Sequence, residues 1–137
     1  MRLLGLFCLL ATLSVGAAQV REYRYTNLHQ LAAMVVHKEK PEYPFEARWA
    51  HQEGEGCVRL YVARDGTVTG VKIVESTGHE LLDASCLKAF RNWKWKPGLR
   101  REIDLPVAFE IPRIHGFGTY RPPVVKQKTT IVREFQD

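Results

Sequence analysis

The strongest periodic signal in the chain is an alternation of apolar and other residues late in the sequence. Ile103, Leu105, Val107, Phe109 and Ile111 alternate with Asp104, Pro106, Ala108, Glu110 and Pro112. That two-residue repeat predicts a strand with one buried face. A second alternation covers residues 56–63, with Val58, Leu60 and Val62 on one face and Cys57, Arg59 and Tyr61 on the other. Arg64-Asp65-Gly66-Thr67 interrupts it, and Asp-Gly tolerates the positive φ of a tight hairpin turn. Residues 68–75 resume the strand pattern with Val71 and Ile73 on one face, so an antiparallel hairpin is expected. The period then lengthens. Ser76-Thr77-Gly78-His79-Glu80 opens a helix with Thr77 and Glu80 at capping-box spacing. Leu82, Cys86, Ala89, Phe90 and Trp93 share one face of that helix, and Pro97-Gly98 terminates the short segment after it.

Two shorter helical patterns precede the hairpin. Leu28, Leu31, Ala32 and Val35 fit a helix capped by Asn27 and ending near His37. Pro44 suits the first turn of another helix that carries Phe45, Ala47, Trp49 and Ala50 and stops at Gly54. The order helix, helix, strand, strand, helix, strand predicts a two-layer α+β domain: a three-stranded antiparallel sheet with helices packed on one face. Pro106 bears on where that sheet ends. Proline gives up a ladder donor and is largely confined to edge strands. Successive residues turn their N–H groups to opposite sides, so Asp104, Ala108 and Glu110 are expected to face an unpaired edge. Residues 116–123 read as loop, and 128–135 as one further strand.

The chain has 137 residues with 45% hydrophobic and 26% charged, which supports one domain and excludes a two-domain dinucleotide enzyme, a TIM barrel or a multi-span transporter. Its first eighteen residues read separately. Arg2, the apolar run from Leu3 to Leu13 and the small residues Ser14-Val15-Gly16-Ala17-Ala18 have the layout of a signal peptide cleaved after Ala17 or Ala18. The run is shorter than the ~20 residues that span a bilayer. The expectation is an exported chain, with membrane association as the variant in which the leader stays. The division expected is a signal peptide at 1–18, an N-terminal segment with a short helix at 19–40, a domain at 41–112 and a basic tail at 113–137. That tail carries five basic and two acidic residues and reads as a solvated or membrane-proximal surface.

Without residues 1–18 the net charge is +4. Trp93-Lys94-Trp95-Lys96 and Arg100-Arg101 mix aromatics with cations as single-strand nucleic-acid binders do. In an exported chain the tryptophans read instead as core and the lysines as their solvated alternates, so no nucleic-acid partner is expected. Two cysteines remain, Cys57 and Cys86. An even count in an exported chain favours a disulfide, which for this loop would contribute roughly 3–4 kcal/mol. Strand parity opposes it, because Cys57 points away from the Val58 face on which the Cys86 helix would pack. The pairing stays open at this level.

The chemistry-bearing residues form no catalytic pattern. His29, His37, His51, His79 and His115 show no HExxH or paired spacing. Ser76 is not in a nucleophile elbow. His79 beside Glu80, or four residues before Asp83, lacks a third group, and no glycine-rich phosphate loop is present. No enzyme activity, cofactor, metal or small-molecule substrate is expected.

Residues 41–112 resemble the C-terminal domain of TonB energy transducers. The resemblance rests on Pro41-x-Tyr43-Pro44-x-x-Ala47, Gly54-x-Gly56, Asp65-Gly66-x-Val68, Ser76-x-Gly78, Leu82-Asp83, Trp93-x-Trp95-x-Pro97 and Pro106-Val107-x-Phe109, in that order. The resemblance implies protein binding. Such domains pair with a short extended segment of a TonB-dependent outer-membrane transporter and couple proton-motive force to uptake. The physical mode is strand addition, in which backbone bonds give affinity and side-chain pockets give selectivity. On this chain it implies a partner strand along Ile103, Asp104, Leu105, Val107, Ala108, Phe109 and Glu110, with Tyr43 and Pro44 nearby. TonB transducers also carry a membrane anchor and a long Pro-rich arm. Here residues 19–42, at most ~80 Å when extended, precede the matched stretch. The alternative expectation is therefore a free periplasmic interaction or self-association module, a homodimer included, since an exposed edge also serves dimerisation.

Overall fold

A computed structural model of the chain describes residues 19–25, 28–113 and 122–136. Its elements run β1 (Gln19–Tyr25), α1 (Leu28–Ala32), β2 (Val35–His37), α2 (Phe45–Trp49), β3 (Gly54–Val62), β4 (Val68–Glu75), α3 (Glu80–Arg91), β5 (Lys94–Trp95), β6 (Arg100–Glu110), β7 (Val124–Gln127) and β8 (Thr130–Gln136). Strands β1, β8, β6, β3 and β4 lie side by side in that order, and β7 pairs with β6 beyond the end of β8. All these pairings are antiparallel. The short β2 and β5 form a separate pair.

The hairpin forms where the alternation and the Asp-Gly turn place it. Asp65 Oδ1 accepts from the Thr67 amide at 3.0 Å, and Gly66 takes a φ of 89° that a side chain would resist. Val58, Leu60 and Val62 face the core with Ile103, Leu105, Val107 and Phe109 of β6. From α3, Leu82, Cys86 and Phe90 join the same cluster, as do Trp93 and Trp95. Both tryptophans are buried while Lys94 and Lys96 are exposed, which is the core reading of that segment. Gly54 is required by close approach rather than by φ. A Cβ there would lie 2.1 Å from the Thr77 carbonyl oxygen.

Several sequence expectations are corrected. The domain is α+β and mostly antiparallel, but among the described residues its sheet has six strands rather than three. Within the basic 113–137 stretch, residues 124–127 and 130–136 are not solvated tail but β7 and β8, the latter close to the strand expected at 128–135, with Thr130 and Val132 buried. Residues 19–25, placed in an N-terminal segment, form the edge strand β1 against β8. The first helix stops at Ala32, and Val35 belongs to β2, because its segment pairs with β5 instead of continuing a helical ladder. The second helix is a single turn that leaves Trp49 exposed. At α3 the reciprocal box of Thr77 and Glu80 is absent. Asp83, one turn inside the helix, accepts from the Thr77 amide (2.9 Å), Thr77 Oγ1 (2.6 Å) and Ser76 Oγ (2.5 Å). Burial raises the Asp83 pKa, but these hydrogen bonds outweigh it and hold the carboxyl below its ordinary value. The cap at Asn27 and the leader at 1–18 lie outside the described residues.

Cys57 and Cys86 are both free thiols. Cys86 lies in the core, where burial pushes its pKa up to about 12, while Cys57 is half-buried on the opposite face of the sheet. The sheet itself separates the sulfurs, so the disulfide is not formed. Among the described residues, no helix is long and apolar enough to cross a membrane.

Candidate functional site

β6 is the longest strand and the centre of the sheet. Its odd-numbered residues from Ile103 to Phe109 bury their side chains beneath the helices. The even-numbered residues turn their backbone groups away from β3. Lys128 donates its amide to the Pro106 carbonyl at 3.2 Å, which fixes that parity. Asp104, Ala108 and Glu110 therefore turn their backbone groups to one side of β6. The edge is nevertheless occupied by the chain itself. β7 pairs with residues 107–110, and β8 pairs with residues 100–104.

Pro106 marks the seam between those two strands. Ala108 faces Lys126, whereas Asp104 faces Ile131, so the register moves by one residue across it. A bulge there is the expected answer to a residue that has no N–H to donate. The edge expected from Pro106 is thus absorbed as a break between two partner strands.

On the outer face of the sheet, Asp104 gathers two guanidinium groups. Arg59 Nε and Nη2 reach its carboxylate at 2.7 and 3.2 Å, and Arg133 Nη1 at 2.9 Å. Arg133 continues to Glu22 of β1 at 3.3 Å, so one chain of charges ties β3, β6, β8 and β1. Burial raises the Asp104 pKa, but the bonds from Arg59 and Arg133 outweigh it and hold the group below its ordinary value. A lowered folded pKa stabilises the fold above the unfolded value, about 3.9, and the gain is lost as pH falls through the folded value. Asp104→Asn is expected to lower stability by about 2 kcal/mol at neutral pH and to narrow the difference between neutral and acid stability. Denaturant midpoints at pH 7 and at pH 2, below the lowered folded value, check both parts.

Tyr43 and Pro44 sit at the far end of β6. The Tyr43 ring meets Phe109 edge-on, with centroids 5.2 Å apart, and its hydroxyl donates to the Gln52 carbonyl. Pro44 precedes the first residue of α2. These contacts brace α2 against the sheet. Of the sequence-predicted site, Ile103, Leu105, Val107 and Phe109 are core, Asp104 is an ion-pair hub, and Ala108 is fully buried. Glu110 pairs with Lys126 of β7 at 2.5 Å.

The sequence reading missed a groove beside β7. Val124 and Lys126 turn their backbone groups to β6, so those of Val125 and Gln127 point outward, and among the described residues β7 has one neighbouring strand. Val125, Gln127, Trp93, Lys38 and Lys40 line a groove of about 260 Å³ on the helix-side face of β7. Glu39 is clamped at both ends: its carbonyl accepts from Trp93 Nε1 at 2.7 Å and its carboxylate from Asn92 Nδ2 at 2.9 Å. Lys38 and Lys40 flank the clamp and are exposed at the rim. The signal available in sequence was the Lys38-Glu39-Lys40 triplet, but nothing local links it to Trp93.

A family model described as the Gram-negative bacterial TonB protein C-terminal matches residues 39–114, just over half of the chain. The chain is 28% identical over 82 residues to protein tonB2 of Pseudomonas aeruginosa, covering 56% of this chain and 30% of that protein. It is 28% identical over 85 residues to protein TonB of Vibrio cholerae, covering 58% and 35%. It is 32% identical over 72 residues to protein TonB of Neisseria meningitidis, covering 53% and 26%. The chain spans about a third of the length of these curated relatives. Its matched stretch contains the hairpin, α3, the two core tryptophans and β6, and on that ground the chain belongs to the family of Gram-negative bacterial TonB C-terminal domains.

Proposed function

We propose that this chain is a periplasmic protein-binding domain that receives an extended segment of a TonB-dependent outer-membrane transporter by strand addition, as one part of energy coupling to uptake. Family membership supports the transport context. One observation carries the binding mode: on the side away from β3, the sheet beside residues 107–110 ends in the four-residue strand β7, whose outward backbone groups face no described strand. An extended segment laid there would extend an antiparallel sheet already anchored on β6, gaining backbone bonds without a new fold.

The test is a titration of the chain, followed by backbone amide shifts, with synthetic segments from the periplasmic ends of outer-membrane transporters of the source organism. The expected result is saturable shifts along β7 and Val107–Glu110 with at least one segment. Failure of every segment to perturb that side of the sheet would contradict the reading.

A second reading, self-association as a free envelope module, is favoured by β1. That strand is exposed from Gln19 to Arg24, and among the described residues it has a neighbour, β8, on one side only. Sedimentation that depends on concentration, abolished by a proline within β1, would support it.

A further inference from the structure

We infer that the groove between β7 and the Lys38–Lys40 segment is the docking site of an extended acidic peptide segment, which pairs with the outward edge of β7 and leaves β7 in place on β6. The inference rests on the strand-addition reading above and adds the locus and chemistry of the partner. Three features converge. The outward backbone groups of Val125 and Gln127 offer donors and acceptors at strand spacing. Their side chains lie on the helix-side face, where Val125 is core and Trp93 floors the adjacent groove. A strand added beside β7 would send alternate side chains toward that face. One apolar side chain of the incoming segment would then rest on Trp93 and Val125.

The charge at the rim selects the occupant. Among the described residues, neither Lys38 nor Lys40 lies in an ion pair, whereas the basic residues Lys126, Lys128 and Arg133 on the outer face all do. The clamp on Glu39 holds both lysines at the groove while engaging the acid between them. A carboxylate next to the apolar anchor would complete the site, and a lysine or arginine at that place would be repelled.

The test uses the whole chain and two probes: a capped seven-residue peptide of alternating Val and Thr with one central Glu, and the same peptide with Gln in its place. The inference expects the Glu probe to shift the Val125 and Gln127 amides while the Lys126 amide keeps its protection from hydrogen exchange. Changing the probe to Gln, or the protein to K38Q/K40Q, is expected to weaken binding about tenfold. The lysines are exposed, so the double variant folds, and its unchanged spectrum away from the groove checks this. Equal affinity for the two probes, an unaffected double variant, or loss of Lys126 protection on binding would each overturn the inference. Loss of Lys126 protection would still leave strand addition standing, with the partner in the place of β7. Absence of binding by either probe at millimolar concentration overturns the site alone. The broader reading falls only if the transporter segments also fail.

Discussion

Gly66→Ala is expected to destabilise the domain by on the order of 3–5 kcal/mol, a large share of the 5–15 kcal/mol typical of folded domains. Two independent effects add. The residue sits at φ 89°, where an L side chain is strained. A Cβ there would also lie 1.8 Å from the Trp95 carbonyl oxygen, a backbone atom that cannot swing aside. Gly66 is bound on both sides, its amide donating to Ala63 at 3.0 Å and its carbonyl accepting from Trp95 at 2.9 Å. The turn therefore cannot relax without lifting β5 and the buried Trp95 from the core. A thermal midpoint roughly 10–20 °C lower or a failure to fold is the expected result. A midpoint within a degree or two of the parent would mean that the hairpin turn is not seated on β5.

Truncation after Pro112 is expected to have an effect at least as large. It removes Val125, Thr130 and Val132, three buried side chains, which together contribute roughly 4–6 kcal/mol of burial. It also takes Arg133 from Asp104 and leaves β1 without its neighbour. β6 would then present a bare edge, a template for pairing with other copies. The shortened chain is expected to show a sharply lower denaturant midpoint and concentration-dependent association in sedimentation. An unchanged midpoint with monomeric behaviour would mean that residues 113–137 are a dispensable tail.

The hairpin, α3 and β6 are legible because each has one apolar face and one polar face, so its period survives in the sequence. β1 and β7 are not, and for β8 the strand is legible but its place beside β6 is not. Their outward side chains include Glu22, Lys126 and Arg133, which pair with one another or with Asp104 and Glu110, and a strand whose neighbours are charged reads as a solvated run. Only Val125 and Val132 carry apolar core burial there, too few to form an alternation. Pro106 does signal a missing donor. Its consequence depends on a segment some twenty residues away that adapts to the gap with a bulge, and no local signal encodes that. The outward facing of Cys57 is legible because parity within a strand needs no tertiary information.

The glycine motifs carry a related lesson. Gly54-x-Gly56 and Asp65-Gly66 help to mark the family, yet their work here is structural: they let backbone meet backbone at Thr77 and Trp95. Tyr43 likewise braces Phe109 and the loop at Gln52. On the proposed reading, the residues that would receive a partner lie instead at the rim, where Lys38 and Lys40 line a groove with Trp93 and Val125.

Everything proposed for the partner's position depends on the chain's own C-terminal strands holding the edge of β6. Amide hydrogen exchange of the free protein at Lys126, Ile131 and Arg133, whose backbone groups face β6, tests this most directly. Protection of Ile131 and Arg133 comparable with the hairpin core at Val58 and Leu60, with lesser but measurable protection of Lys126 in the short β7, is the predicted result. Exchange of all three at the rate of an unstructured peptide would contradict it, and would return the partner strand to the edge of Asp104, Ala108 and Glu110.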